Sequence, residues 1–170
     1  MKVNLIYTAE NPPYPNNTLP VLHYRNALKE VFLEDPYQSE DVLKLFKQNA
    51  YGNGWVNGIF DQHHYHSNTH EALACTKGDA MVQLGGPNGE ILKFVKGDVI
   101  LLPAGVAHKR LEQSTDFEVV GAYPEGRDYN FIEGEVEDYQ VILAQIADVP
   151  LPLTDPVVGS PGHVDEHWNN

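Results

Sequence analysis

The sequence contains a single cysteine, Cys75, so it cannot form an intrachain disulfide. Basic residues are also scarce. The chain has 11 lysines and arginines against 24 aspartates and glutamates, which gives a formal net charge of -13 at pH 7. A chain with this charge is repelled by nucleic-acid backbones and by anionic membrane surfaces. We therefore expect neither nucleic acid nor a membrane as a partner.

Long apolar runs are missing as well. The N-terminal stretch from Val3 to Tyr7 is interrupted by Asn4 and is shorter than the roughly 7–15 apolar residues of a secretory signal. No run approaches the ~20 residues of a membrane-spanning helix. These absences favour a soluble, cytoplasmic protein, and a length of 170 residues favours a single domain.

Two segments have the periodicity of amphipathic helices. Ser39 can cap the first, which presents an apolar face over residues 42–46 and ends before Gly52. The second is expected over residues 135–147, where Pro150 stops it. The remaining C-terminal tail has no periodicity and is interpreted as an extended segment that wraps the domain.

Residues 55–123 have a β pattern instead. Short runs rich in β-branched and aromatic residues alternate with turn signals, which is typical of a sandwich or barrel. Two further extended segments are expected at residues 3–8 and 19–28. The predicted strands of the main block are GWVNGIF, EALACT, AMVQL, ILKFV, DVILLP, HKRLEQ and DFEVVGAY.

Histidines and a glutamate are concentrated in HHYHSNTHE, residues 63–71. On a strand, residues two apart share a face, so His64 and His66 should project together. The turn that follows returns Glu71 beside them, and another strand of a barrel can add His108. Three imidazoles and one carboxylate suit one divalent transition metal, such as Fe, Mn, Ni, Co or Zn, with positions left open. The alternative is a polar surface loop whose histidines bind nothing.

The spacing of these residues resembles the two motifs of the cupin family. The first motif is Gly58, five residues, His64-Tyr65-His66, four residues, Glu71, six residues and Gly78. The second is Gly97, five residues, Pro103-Ala104-Gly105, two residues and His108. The family then has an asparagine where this chain has Glu112, a departure that concerns the pocket rim or a turn. A cupin without a metal is the alternative, although no ligand position is replaced.

The resemblance implies an all-β fold, a cupin jelly-roll β-barrel with two peripheral helices. One cupin domain is expected over residues 1–170, with a metal-binding core at about 52–124 between an N-terminal extension (1–51) and a C-terminal helix and wrapping tail (125–170). Similar small bacterial single-domain cupins have no assigned function. The resemblance also implies a homodimer that pairs through sheet edges, for which the segments at 3–8 and 19–28 could supply the contact.

The other histidines and the cysteine have several possible roles. His63 should point outward, whereas His70 is expected to support the ligands or lie exposed, with replacement of Glu71 as a ligand as the alternative. Cys75 is interpreted as a small buried hydrophobe rather than a nucleophile. His163 and His167 are four residues apart, but Pro161 and Gly162 argue against a helix and so against a second metal site.

Several polar residues are candidates for contacts with a bound molecule. Gln62 shares the inward parity of His64 and could orient a substrate or satisfy a buried hydrogen bond. Arg110, Tyr123 and Arg127 are candidates because they are near the motifs in sequence, with surface or packing roles as the alternative.

The ligand set favours a metalloenzyme that acts on a small molecule, of the dioxygenase type of oxidoreductase and with Fe(II) as the metal. The alternatives are a redox-neutral sugar isomerase or epimerase and a non-catalytic small-molecule-binding cupin. The few basic residues near the motifs argue against a sugar phosphate. A neutral or metal-chelating substrate is therefore expected.

Overall fold

Antiparallel strands form most of the structure, a computed structural model that describes residues 1–33 and 36–168. The strands are β1 (Lys2–Ile6), β2 (Val21–Arg25), β3 (Tyr51–Asn57), β4 (Glu71–Lys77), β5 (Asp79–Leu84), β6 (Ile91–Val95), β7 (Val99–Leu102), β8 (His108–Gln113) and β9 (Glu118–Pro124). The helices are α1 (Ala27–Val31), α2 (Ser39–Gln48), α3 (Tyr139–Asp148) and α4 (His163–His167).

The strands form two antiparallel sheets. The larger has the order β1-β2-β7-β4-β9-β3, and the smaller has the order β6-β5-β8. Together they form the jelly-roll β fold that the sequence predicts. In the described residues β2 pairs with both β1 and β7. The segments at 3–8 and 19–28 were both expected to offer a free strand edge to a second copy. In the described residues, β1 has such an edge, whereas β2 is paired on both sides.

One apolar core lies between the two sheets. Leu73 and Cys75 of the larger sheet pack there with Val82, Phe94 and Ile100, all of them at most 1% exposed. The residues that alternate with Leu73 and Cys75 on β4 face a second core on the other side of the larger sheet. Both faces of β4 are therefore buried, which explains why residues 72–75 at its centre are all small or apolar.

The second core is closed by the helices and the C-terminal tail. Val42 and Phe46 of α2 pack against the outer face of the larger sheet. Trp168 is fully buried in the same core, and its indole N–H donates to the carbonyl oxygen of Pro20 at 2.8 Å. The end of the tail therefore packs against the larger sheet, where a large aromatic side chain anchors it.

The helix boundaries differ from the sequence prediction. The N-cap of α2 is Gln38 rather than Ser39, because the carboxylate of Asp41 accepts from the Gln38 N–H at 2.8 Å. Helix α3 begins at Tyr139, since the carboxylate of Asp138 accepts from the N–H groups of Gln140 and Val141. None of the helices in the described residues has the length and apolar character needed to cross a bilayer.

Two predicted extended segments contain a helix. The segment at 19–28 is extended only to Arg25, because Asn26 adopts a left-handed conformation (φ 56°) and α1 follows. The tail contains α4, which begins directly after Gly162. The argument that Pro161 and Gly162 exclude a helix was therefore wrong, since both precede its first turn.

The position of His108 depends on a glycine, Gly105, in the turn of the second motif. Gly105 has φ 87°, and a Cβ there would lie 2.6 Å from the carbonyl oxygen of Asn16. The Gly105 N–H donates to the carbonyl oxygen of His66 at 2.8 Å. This contact fixes the turn before His108 against the segment that carries His66, and a larger residue at 105 is expected to displace this turn because it would clash with Asn16.

Candidate metal centre

Three predicted ligands converge on one point at the mouth of the sandwich. Glu71 opens β4 and His108 opens β8, while His66 lies on the irregular segment before β4. Glu71 Oε1 is 3.3 Å from the Nε2 atoms of both His66 and His108. Two donors at about 2.1 Å from a shared tetrahedral metal lie about 3.4 Å apart, so these separations suit coordination.

His64 lies beside this group. The donor atoms of His66, Glu71 and His108 are all within 4.8 Å of one another, and His64 is outside that limit. Its ring centroid is nevertheless 4.1 Å from that of His108, and the two backbones pair through two hydrogen bonds of 3.2 and 2.9 Å. All four side chains are buried and line the same cavity.

Backbone carbonyl groups orient all three imidazoles. The Nδ1 atom of His64 lies 2.8 Å from the Gln62 carbonyl oxygen, and that of His108 lies 3.0 Å from the Val106 carbonyl oxygen. The Nδ1 of His66 bonds in the same way to the Asn130 carbonyl oxygen. Because a carbonyl oxygen only accepts, each Nδ1 carries a proton, and Nε2 is the nitrogen that offers its lone pair to a metal when the imidazole is neutral.

A tyrosine holds the carboxylate. The hydroxyl of Tyr123 donates to Glu71 Oε2 at 2.7 Å, and the Trp55 indole N–H donates to the Tyr123 oxygen at 2.9 Å. Burial, together with the adjacent Glu71 carboxylate, raises the pKa of Tyr123, so this phenol keeps its proton. Glu71 therefore presents Oε1 to the histidines, while Oε2 is held by the tyrosine.

The electrostatics of the group suit a cation. Burial, together with the neighbouring His108, lowers the pKa of His64 to about 3, which leaves this imidazole neutral at pH 7. Burial raises the pKa of Glu71, but contacts with His66 and His108 outweigh that effect and hold it well below its usual range. Burial lowers the pKa of His66, but Glu71 raises it above its ordinary value overall. A buried carboxylate beside imidazole nitrogens attracts a cation, and a divalent metal ion can be that cation.

The hydrogen bond from Tyr123 gives a direct test of this arrangement. Tyr123→Phe removes the donor to Glu71 and is expected to weaken zinc binding roughly tenfold, the lower end of the effect of groups that support metal ligands. Isothermal titration of the metal-free protein with Zn²⁺ measures it. Tyr51→Phe is the matched control, because the Tyr51 hydroxyl bonds to the Thr154 carbonyl oxygen instead. Equal affinities for both variants would count against a supporting role for Tyr123.

The cluster opens into a cavity of about 280 Å³. Its walls are mainly aromatic and apolar, and among the described residues no lysine or arginine lines it. Glu71 is the one carboxylate in the described lining. The aromatic side chains of the wall are Trp55, Phe60, Tyr123, Tyr129 and Phe131.

Comparison with known proteins supports the relationship that the motifs indicate. A model of the cupin family matches residues 57–123, the segment that contains all four predicted ligands. The uncharacterized protein YjlB of Bacillus subtilis (strain 168) is 36% identical over 157 residues, which cover 92% of this chain and 89% of that protein. The chain belongs to the cupin superfamily.

Solved structures with a similar fold include two enzymes of different chemistry. Acireductone dioxygenase from Bacillus anthracis, with a cadmium ion in its active center, is 15% identical with a TM-score of 0.44, over 66% of this chain and 82% of that chain. The dTDP-6-deoxy-D-glucose-3,5-epimerase RmlC from Legionella pneumophila is also 15% identical, with a TM-score of 0.42 over 88% and 84%. Similarity at this level says nothing about the substrate of this cupin.

The structure does not bring Gln62 to the cavity of this cupin. Its side chain is exposed, and its amide group faces the carboxylate of Glu133. The inward parity predicted for it requires a strand, but the chain is irregular from residue 58 to residue 63. The expectation that Gln62 orients a bound molecule therefore needs correction.

The two neighbouring histidines of the cupin are placed differently from the ligands. His63 packs against Tyr14, with ring centroids 5.5 Å apart. His70 is buried, and both of its ring nitrogens are engaged: Nδ1 accepts from the Ala104 N–H at 2.9 Å and Nε2 faces the Pro150 carbonyl oxygen at 3.2 Å. His70 therefore cannot replace Glu71 as a ligand, and it supports the turn of the second motif.

Cys75 and the candidate arginines lie outside the cavity of the cupin. Burial raises the pKa of the Cys75 thiol to about 12, so it is a core residue rather than a nucleophile. Arg110 donates through Nε to the Ile59 carbonyl oxygen at 3.1 Å. Arg127 is absent from the described lining, and Glu112 is exposed on β8 opposite Met81.

A second group of possible ligands lies on α4, away from the cavity. The donor atoms of His163, Glu166 and His167 are within 4.8 Å of one another. The sequence argument against this group rested on the absence of a helix, which the structure corrects. Glu166 is 64% exposed in its side chain, and this group remains a surface cluster without a demonstrated ligand.

Sequence reasoning missed the loop that follows β9. Tyr129, Asn130 and Phe131 come from this loop and contact the ligand histidines. The Ile132 backbone pairs with that of Tyr65, which fixes the loop across the mouth of the cupin. The available signal was the pair of aromatic residues in YNF, residues 129–131. Two large aromatic side chains so close together in a loop indicate that the loop packs against another part of the protein.

Proposed function

We propose that this cupin binds one divalent transition metal through His64, His66, Glu71 and His108 and acts on a small molecule as an oxidoreductase of dioxygenase type. Fe(II) is the proposed active metal. The observation that carries the proposal is the buried group of His66, Glu71 and His108 at the base of an aromatic cavity. Zn, Mn and Ni suit the same donors, so metal identity is part of the test.

A bound Fe(II) would supply redox chemistry and open coordination positions. The residues of the chain would orient the metal ligands and form the binding cavity. The backbone carbonyl groups keep each imidazole in one tautomer, and Tyr123 keeps Glu71 in one orientation. The aromatic wall makes the space above them largely apolar. The absence of a basic side chain in the described lining counts against a sugar phosphate, whose charge needs a cationic partner.

Oxygen consumption tests the reaction class. Metal-free protein is loaded anaerobically with Fe(II), mixed with pools of β-dicarbonyls, catechols or thiols, and followed with an oxygen electrode. We expect uptake at least about tenfold above that of the His66→Ala variant, because this variant lacks a ligand. Uptake that is the same in both proteins would contradict the proposal. Tight ligand binding by a zinc form that consumes no oxygen with Fe(II) would favour the isomerase or the non-catalytic binding alternative.

Three further expectations remain proposals. The first is a single domain over residues 1–170 with its metal-binding core at about 52–124. The second is a homodimer, for which β1 offers an edge in the described residues. The third is a cytoplasmic location.

A further inference from the structure

Two pairs of aromatic rings form the walls of the cavity above the metal ligands. Phe131 stacks on His64 at 4.7 Å with an interplanar angle of 17°, and Phe60 meets Phe131 edge to face at 4.9 Å. On the side of Glu71, Tyr129 stacks on Tyr123 at 4.6 Å with an angle of 19°. The space above the ligands therefore has an aromatic surface beside His64 and another beside Glu71.

Three aromatic side chains of these walls are partly exposed to solvent. Phe60 is 63% exposed, Tyr129 is 45% exposed and Phe131 is 41% exposed. Exposed large aromatic side chains around a concave site mark a surface that a ligand covers. A flat ring system covers such faces best, because offset stacking and edge-to-face contacts both need a planar partner.

Size and charge restrict the ligand further. The cavity of about 280 Å³ is smaller than the roughly 300–1,000 Å³ of sites that enclose drug-sized molecules. A ligand that the cavity encloses completely is therefore small. A negatively charged group on the part of the ligand that faces the aromatic walls would meet no lysine or arginine in the described lining, and the net charge of -13 would also repel it.

We infer that the substrate is a small, planar and conjugated molecule with two adjacent oxygen donors and a body that carries no charge. Its oxygens would face the metal ligands, and its flat body would lie between the aromatic pairs of Phe60 with Phe131 and Tyr123 with Tyr129. The oxygen contacts rest on the proposed metal site, whereas the planarity and the neutrality rest on the wall alone. Catechol is the simplest probe of this class.

Calorimetric titration of the zinc-loaded protein separates ring contacts from oxygen contacts. Zinc is redox-inert, so binding is measured without turnover. Catechol and acetohydroxamic acid both offer two oxygens, but only catechol has a ring. In the double variant Phe60→Leu/Tyr129→Leu, catechol should bind about tenfold more weakly, because two ring contacts are lost, while acetohydroxamic acid changes by less than about twofold.

Two controls accompany the titration. Tyr7→Leu alters an aromatic side chain that is 67% exposed and distant from the cavity, and it should change neither affinity. Adding a carboxylate to the probe, as in 3,4-dihydroxybenzoate, should weaken binding at least about tenfold, because a buried charge without a partner is costly. Zinc content and circular dichroism show that each variant is folded and loaded.

The outcomes distinguish this inference from the proposed function. Unchanged catechol affinity in the double variant, or tighter binding of the carboxylate probe, would overturn the substrate class even if oxygen is consumed. The expected catechol pattern without oxygen uptake would leave the substrate class standing and remove the dioxygenase assignment. If the protein holds no zinc, the metal-free form is titrated with catechol, and the double variant must still lose about tenfold in affinity.

Discussion

Purified protein with the substitution His66→Ala is expected to retain less than about a tenth of the metal found in the unaltered protein, which should hold about one ion per chain. His66 contributes an Nε2 atom 3.3 Å from Glu71 Oε1, and its other nitrogen is fixed by the Asn130 carbonyl oxygen. The substitution removes one ligand and leaves the buried Glu71 carboxylate with one imidazole fewer. Elemental analysis by mass spectrometry of the two proteins, purified side by side, measures the effect.

His63→Ala is the matched control for this experiment. His63 belongs to the same segment, but it packs against Tyr14 and is absent from the described cavity lining. Its removal should leave the metal content unchanged. Equal metal contents in all three proteins would mean that the cluster does not hold the ion.

Replacing Trp168 with alanine should lower the free energy of unfolding by about 3–5 kcal/mol, the usual cost of removing a large buried aromatic side chain. Trp168 is 0% exposed, its ring centroid lies 4.9 Å from that of His70, and its N–H bonds to Pro20. For a domain of this size, the melting temperature should fall by roughly 6–20 °C. Differential scanning calorimetry measures it.

Trp168→Phe separates packing from hydrogen bonding. This variant keeps most of the apolar volume and loses the N–H donor, so it should cost only about 1–3 kcal/mol. A loss as large as that of the alanine variant would indicate that the hydrogen bond to the Pro20 carbonyl oxygen dominates. A melting temperature within about 2 °C of the unaltered protein for Trp168→Ala would show that the tail does not anchor the core.

The β core was predictable because its signals are local. Strand runs such as EALACT and AMVQL have turn residues on both sides, and Gly78 and Gly97 adopt the positive φ values that glycine favours. The motif spacings indicated the ligand set from the sequence. They gave no indication that His64 would lie outside the group formed by the other three donors.

The remaining features depend on contacts between distant segments. Side-chain parity failed at Gln62, because parity holds only inside a strand and residues 58–63 are irregular. The wall residues Tyr129 and Phe131 lie about fifty positions after the end of the first motif. Their loop is held at the mouth by the pairing of Ile132 with Tyr65 and by hydrogen bonds between Asn130 and Ser67. Helix α4 was not predicted because Pro161 and Gly162 were interpreted as helix breakers, whereas both precede the helix and Gly162 is its N-cap.

The carbonyl groups that orient the imidazoles place an evolutionary constraint on the path of the backbone, which is separate from any constraint on the side chains. His64, His66 and His108 are each held by a main-chain oxygen, and every amino acid supplies such an oxygen. The neighbouring wall residues Tyr129 and Phe131 can therefore mutate without disturbing the tautomers of the ligands, as long as the Asn130 side chain keeps the loop backbone bound to Ser67. Divergent descendants of this protein can thus acquire new cavity walls and new substrates while they inherit the same metal centre.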